Sequence, residues 1–355
     1  MATSTSAGAQ SLDGKVVLIT GGTGSFGTAM VRHLLKHGNP GTIRVFSRDE
    51  LKQFHMSQAL KDDRLRFFLG DVRDRDRIRR ACEGVDLIIH AAALKQVQAC
   101  EYNPFEAIQT NISGSVNVVD AAIDCGVPKV LALSTDKAVS PVNLYGTTKL
   151  CAEKVFIHGN SYAGRRGTRL ACCRYGNVVG SRGSVIPLFL RQRAQNELTI
   201  TDERMTRFWL TLEAAVQFVT RALDYMAGGE IFVPRLPSMR IVDLARIIAP
   251  QARLKHIGIR PGEKIHETLL MPEEIRHTIR VDDFFIILPE WFSRKVKRRY
   301  KGTKLPEDFS YSSDVNDSWL TEAEMREIIA EFSSSPARKR LKKATIRRVP
   351  RRAPL

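Results

Sequence analysis

The chain has 355 residues, of which 43% are apolar and 7% aromatic, a globular balance that excludes disordered, collagenous and fibrous classes. Its net charge of +17 comes from 55 basic against 38 acidic residues, but nine of the basic ones crowd into residues 337–355 with no acid among them; the excess does not by itself make the body a nucleic-acid binder. No apolar run reaches the ~18 residues that a membrane span needs, and the six cysteines (Cys82, Cys100, Cys125, Cys151, Cys172, Cys173) contain no CxxC pair, which reads as reduced, cytoplasmic usage.

Residues 1–13 are small and polar, with no signal-type segment in Met1–Gln10, and are expected to be a disordered leader. From Lys15 onward short apolar runs alternate with helical stretches. The predicted pairs are Val16–Thr20 with Thr28–Lys36, Thr42–Ser47 with Leu51–Leu60, Leu65–Gly70 with Arg75–Cys82, and Val85–Ala91 with Phe105–Cys125. A strand at Val130–Ser134, a long helix from Asn143 to Asn160, a strand at Leu170–Tyr175 and a helix at Leu212–Met226 continue the series. Continuous apolar strands separated by helices indicate a parallel sheet covered on both faces, a doubly wound α/β fold of Rossmann type. After Gly229 the pattern becomes irregular, with Pro234, Pro237, Pro250, Pro261, Pro272 and Pro289 interrupting shorter elements. The expected organisation is a nucleotide-binding core over 14–230, a substrate-binding lobe over 231–332 with contributions from 174–210, and a basic disordered tail over 333–355.

The first strand runs into Gly21-Gly22-Thr23-Gly24-Ser25-Phe26-Gly27 and then into a helix. Glycines at 21, 24 and 27 permit a tight turn and let a diphosphate approach backbone N–H groups at the helix N-terminus. That placement makes Gly21, Thr23, Gly24, Ser25, Phe26 and Gly27 dinucleotide-binding candidates, with an ordinary tight turn as the alternative. The second strand ends at Ser47-Arg48, where a carboxylate would favour NAD. The guanidinium of Arg48 suits the 2′-phosphate of NADP, while nearby Asp49 and Glu50 keep NAD open. Asp71 and Val72 follow the third strand, where Asp71 either meets the adenine or is a solvated turn residue. Ala91, Ala92 and Ala93 follow the fourth strand and leave room for the nicotinamide-side ribose.

Tyr145 and Lys149 lie four apart on the long helix and so share one face. An ammonium beside a phenol favours phenolate and can hold the ribose as well, and Thr135 can donate to the same substrate oxygen. None of the eight histidines has metal-ligand spacing, and His90, inside the apolar fourth strand, reads as a core residue.

Together the glycine turn, Thr135, Tyr145 and Lys149 resemble an extended short-chain dehydrogenase/reductase. The stretch from Ser134-Thr135-Asp136-Lys137-Ala138 to Pro141-Val142-Asn143-Leu144-Tyr145-Gly146-Thr147-Thr148-Lys149 resembles, more narrowly, the inverting UDP-N-acetylglucosamine 4,6-dehydratases. Arg174-Tyr175-Gly176-Asn177-Val178, Met205-Thr206-Arg207-Phe208-Trp209, Arg260-Pro261-Gly262-Glu263-Lys264 and Tyr311-Ser312-Ser313-Asp314 extend the similarity over about residues 13–331.

The resemblance implies Tyr145 as base at the sugar C4 hydroxyl, Lys137 as base at C5 and Asp136 as acid at C6. Relatives that retain C5 configuration commonly show Asp-Glu at this place, so Lys137 is the informative departure; the longer membrane-attached relatives tend to have methionine in place of Tyr145. A lysine base must be partly neutral, and an adjacent carboxylate opposes that. Successive strand residues also face opposite ways, so the pair must lie where the strand ends and the backbone turns. Without the resemblance, Asp136 and Lys137 could be a surface ion pair. Arg207 and Arg260 are implied for the diphosphate, with structural roles as the alternative. Lys95, Tyr175, Asn177 and Glu263 are implied for other substrate contacts. Relatives also imply a homo-oligomer. The rival expectations are a UDP-sugar epimerase that uses Tyr145 without the Asp-Lys pair, and a non-catalytic NADP-binding scaffold whose tail meets nucleic acid or an anionic membrane.

Overall fold

A computed structural model describes residues 12–181, 183–290 and 300–334. The basic stretch 337–355 and most of the leader lie outside these; Leu12, at the leader's end, is already buried. Six parallel strands, β1 (Val16–Thr20), β2 (Thr42–Ser47), β3 (Leu65–Leu69), β4 (Leu87–His90), β5 (Lys129–Leu133) and β6 (Arg169–Cys173), stand in the order 3-2-1-4-5-6. That order reverses direction between β1 and β4, the switch point at which open α/β sheets bind ligands beyond their carboxyl ends. Val17 of β1 lies opposite Ile43 of β2 and Leu87 of β4, and all three are buried. Burial on both faces is why these strands are apolar throughout rather than alternating.

Helices cover both faces. Ser25–His37 packs with Leu212–Tyr225, while Gly114–Asp124 packs with Arg75–Cys82 and with the long helix Leu144–Ala163. The stretch expected as one helix, Phe105–Cys125, is divided. Pro104 opens a short helix to Ile108, a π-helical turn follows over Gln109–Ser113, and an α-helix resumes at Gly114. The π turn presents Asn111, whose amide accepts from the Leu94 N–H at 2.8 Å and donates to the Leu94 carbonyl and to Thr148, both at 2.9 Å. It thereby ties the loop after β4 to the long helix.

The sheet does not stop at β6. Ile231–Pro234 pairs with it in parallel, and Phe284–Ile287, Thr278–Val281 and Thr303–Lys304 then add antiparallel strands to make ten in all. Part of the segment expected as lobe thus extends the sheet, because Ile231, Phe232 and Val233 are short but wholly apolar. A second core, built around Ile186, Phe189, Leu198, Trp209, Leu244 and Met325, forms the lobe proper. It draws on chain both before and after Ile231–Pro234.

Candidate active site

A cavity of about 800 Å³ opens at the carboxyl ends of β1, β4, β5 and β6, between the sheet and the lobe. Among its lining residues are Gly21, Gly24, Phe26, Ala91, Lys95, Thr135, Asp136, Lys137, Tyr145, Lys149, Tyr175, Asn177, Arg207, Arg260 and Glu263. Ser25, Gly27 and Ala93 line it as well. Sequence positions far apart therefore meet in one place.

The glycine turn fits a dinucleotide's diphosphate. A Cβ on Gly27 would sit 2.6 Å from the Gly21 carbonyl oxygen and the Gly22 Cα, so only glycine lets the helix start this close to the turn. The capping residue, Gly24, makes no side-chain cap, and the first helical turn contains no acid. Its amide dipoles therefore face the cavity uncompensated, which favours an anion. Thr23 is buried in the same turn.

Ser47, Arg48, Asp71, Val72 and Ala92 do not line the cavity. Ser47 accepts from Gln53 at 3.1 Å through both its hydroxyl and its carbonyl. Asp71 is held by Arg73 at 2.8 and 2.9 Å and lies 3.4 Å from Arg48. Arg48, directly after β2, is half exposed. Val72 packs where a Cβ on Gly114 would lie only 2.7 Å away.

β5 ends at Leu133, and Asp136–Ala138 forms a single 3-10 turn capped by Thr135. The turn brings the two neighbouring side chains to one side: Lys137 Nζ donates to Asp136 Oδ1 at 3.0 Å, and Thr135 Oγ1 donates to the same oxygen at 2.9 Å. The first turn of the long helix sits directly on it. A Cβ on Gly146 would fall 2.1 Å from the Lys137 carbonyl oxygen, so the glycine after Tyr145 is required by this contact. Asn143 caps the helix through the Gly146 N–H at 2.7 Å and donates to the Gly262 carbonyl, also at 2.7 Å.

Tyr145 and Lys149 share the buried face as expected, but the lysine Nζ donates to the Leu133 carbonyl at 2.6 Å. Burial pushes the Tyr145 phenol up to about 12, although Lys137 and a hydrogen bond with Thr135 pull the other way. Burial lowers the Lys149 ammonium.

One acidic group at the site lies outside every motif read from the sequence. Glu267, buried on the lobe side, places Oε1 3.2 Å from Lys137 Nζ and 3.6 Å from Arg207 Nε. Burial raises the Asp136 carboxyl above the usual range, and Glu267 adds to that. Burial alone would lower Lys137, yet Asp136 and Glu267 outweigh it and raise the ammonium. For Glu267 burial works upward, but Lys137, Arg207 and Lys264 together hold it below the ordinary carboxylate range. Burial thus favours the protonated form of Asp136, the two carboxyl groups favour the ammonium of Lys137, and the surrounding cations favour the carboxylate of Glu267. Its only local clue was its position three residues beyond the Arg260–Lys264 segment.

The two arginines implied for the diphosphate differ. Arg207 donates to the carbonyls of Thr206, Ile265 and Lys264 at 2.6, 2.8 and 2.9 Å, which commits most of its donors to the lobe backbone. Arg260 is more exposed and pairs with Glu263 at 2.6 Å. The Asn177 Oδ1 is buried with no hydrogen-bond partner, an acceptor waiting for a donor in the cavity wall. His90 accepts or donates at 2.7 Å to Thr20 Oγ1 within the core.

Comparison with known proteins matches this architecture to relatives along most of its length. Residues 17–289 match the family described as Polysaccharide biosynthesis protein. A UDP-N-acetylglucosamine 4,6-dehydratase (inverting) of Campylobacter jejuni is 49% identical over 327 residues, covering 89% of this chain and 98% of the relative. A UDP-glucose 4-epimerase of Rickettsia rickettsii is 45% identical over 281 residues, covering 77% of this chain and 82% of the relative. The X-ray structure of Pen from Bacillus thuringiensis superposes with a TM-score of 0.84 at 37% identity, over 90% of this chain and 98% of that one. The chain belongs to the polysaccharide biosynthesis protein family and, within it, to the branch of inverting UDP-N-acetylglucosamine 4,6-dehydratases.

Proposed function

We propose that this chain is a hydro-lyase that removes water from UDP-N-acetylglucosamine across C5 and C6, leaving a 4-keto-6-deoxy sugar with inverted configuration at C5. The observation that supports it most is the turn Asp136–Ala138 seated against the helix of Tyr145, with both facing the cavity that the glycine turn enters. A bound nicotinamide dinucleotide supplies one reversible two-electron step, drawn from C4 and returned at C6. Gly21 to Gly27 would hold its diphosphate, Ala91 to Ala93 its ribose, and Lys149 the ribose hydroxyls. Arg48 would meet a 2′-phosphate, which makes NADP the preferred form.

Tyr145 takes the C4 hydroxyl proton as phenolate, once it has lost the phenol proton that burial holds on it, and Thr135 turns from Asp136 Oδ1 to donate to the same oxygen. The C4 ketone acidifies the C5 hydrogen, and Lys137 removes it after giving up the proton that Asp136 and Glu267 hold on its amine. Asp136, whose protonated form burial favours, gives its proton to the C6 hydroxyl, which leaves as water. A second proton, reaching C5 from the face opposite Lys137, completes the inversion; the proton that Lys137 took restores Asp136, and Tyr145 gives to solvent the one it took from the C4 hydroxyl. Lys95, Tyr175, Asn177, Arg260 and Glu263 line the wall available to the sugar and diphosphate; Arg207 contributes chiefly by shaping it.

An epimerase is the second reading, favoured by the relatives of that name. It would use Tyr145 and Lys149 but leave the buried Asp136-Lys137-Glu267 cluster without work, and burying such charges is costly. Mass spectrometry of UDP-N-acetylglucosamine after incubation with enzyme and NADP separates the two. Loss of one water without accumulation of reduced cofactor supports dehydration; an unchanged mass supports epimerisation.

The reading includes a homo-oligomer in the cytoplasm. Tyr102, Phe105 and Tyr162 stand exposed on helices, the six cysteines are free, and among the described residues no helix is long and apolar enough to cross a membrane.

A further inference from the structure

We propose that Glu267 is a positioning residue that holds the Lys137 ammonium at the cavity wall and sets the pH at which that amine gives up its proton. The inference rests on Lys137 being the C5 base.

Lys137 Nζ is shared between two carboxylates, Asp136 Oδ1 at 3.0 Å and Glu267 Oε1 at 3.2 Å. Asp136 is its chain neighbour and moves with it. Glu267 comes from a distant stretch of chain, just before the strand Thr268–Leu270, so it fixes the amine independently of Asp136. Its own backbone is clamped, for the Glu267 N–H donates to Ser313 Oγ at 2.9 Å and the Ser313 N–H returns to the Glu267 carbonyl at 2.8 Å. Ser313 is itself held by Thr206 at 2.6 Å. Glu267 Oε2 and Asp136 Oδ2 are both buried without a hydrogen-bond partner. Two buried carboxyl groups, each with one oxygen lacking a partner, therefore flank one amine at the cavity wall.

The charged groups around Lys137 are Asp136 and Glu267 on one side of the balance and Arg207 and Lys264 on the other, with the Tyr145 phenol beside them. His266 next along turns away toward Asp314 and Thr206. Glu267 both opposes Arg207 and reaches Lys137 from a separate stretch of chain. Without its charge, Arg207 and Lys264 act on the amine less opposed and favour the neutral form. The amine then works at lower pH and is a weaker base.

The test uses the 4-keto-6-deoxy product in heavy water, where exchange of the C5 hydrogen requires the C5 base but no oxidation at C4. Exchange is followed against pD for wild type, Glu267→Gln and Glu267→Asp. Removing a counter-charge at this distance is expected to move the acid limb of Glu267→Gln down by about one unit or more and to lower its plateau. Glu267→Asp, with the charge retained but set back, should place the limb between the other two. A merely structural residue would lower exchange at every pD without moving the limb, and that result overturns the proposal. If Glu267→Gln fails to bind the nucleotide sugar, the Asp variant decides: a limb coincident with wild type is equally fatal. Wild type without any C5 exchange would remove Lys137 as the base, and this inference with it; wild-type exchange with unmoved variant limbs removes only Glu267.

Discussion

Arg174 and Glu153 meet through two hydrogen bonds, Nε to Oε1 at 3.0 Å and Nη2 to Oε2 at 2.7 Å, with neither side chain reaching solvent. Glu153 lies one helical turn beyond Lys149, and Arg174 follows β6. From the segment that follows Glu267, Glu274 accepts two further bonds at 2.8 and 2.9 Å, and the Leu269 carbonyl accepts one at 3.0 Å. A single guanidinium thus ties the helix of Tyr145 to the segment that brings Glu267. Breaking a buried pair leaves an uncompensated charge, so Arg174→Gln should cost about 3–5 kcal/mol. Urea unfolding checks it; a loss below about 1 kcal/mol would place the triad among ordinary surface pairs.

His90 supplies a pH dependence of stability. Burial, with Lys149 adding to it, lowers its imidazole to about 3, so the fold holds it neutral. The unfolded chain takes up a proton near pH 6.5, and the folded chain does not. This contribution is complete above that pH and is lost as the pH falls toward 3. Between about pH 7 and pH 5 it should amount to about 2 kcal/mol. Denaturant titrations at both values, with His90→Gln as control, should show a flatter pH dependence in the variant; equal slopes would contradict the burial argument.

Tyr145→Phe removes the phenol while keeping the ring that packs beside Cys100 and Ala107. Its kcat should fall by about 10²–10⁴, the usual share of a general base. KM for the nucleotide sugar should change little, since the proton transfer is made in the transition state. Steady-state kinetics decide, and a variant that retains most of its kcat would exclude the phenolate.

Arg48→Ser tests which cofactor the site prefers. A charged hydrogen bond to a phosphate contributes about 1.5–3 kcal/mol, so NADP should bind roughly ten- to a hundredfold more weakly while NAD is unaffected. Titration of both cofactors by calorimetry gives the answer. An equal loss for both would remove Arg48 from 2′-phosphate recognition.

How far the molecule was legible depended on where each residue's partner lies. The six parallel strands were visible because burial on both faces makes each a continuous apolar run, and Arg75–Cys82 was read to its observed ends. The π turn at Gln109–Ser113 was not, since it is held by Asn111 bonding to Leu94 and Thr148, partners that no local pattern reveals. Ile231–Pro234 and Phe284–Ile287 looked irregular among prolines because each is short and is held as a strand by partners distant in the chain, β6 and Thr278–Val281 as well as each other. The same divide runs through the site. Asp136, Lys137, Tyr145 and Lys149 could be found from a single stretch of chain. Glu267 reaches Lys137 only once the distant segment before Thr268–Leu270 has packed against the turn after β5, and Arg207, for which both a diphosphate role and a structural one were open, bonds to backbone carbonyls brought by that same segment.

The central claim is that Asp136 and Lys137 move protons at C6 and C5 of one hexose ring. Incubating purified enzyme and NADP with UDP-N-acetylglucosamine in heavy water, and following the product by NMR, tests it most directly. The account predicts a 4-keto-6-deoxy product with deuterium at C5 and inverted configuration there, and none from Lys137→Ala. A product that keeps its C6 hydroxyl, or that forms unchanged from Lys137→Ala, would contradict it.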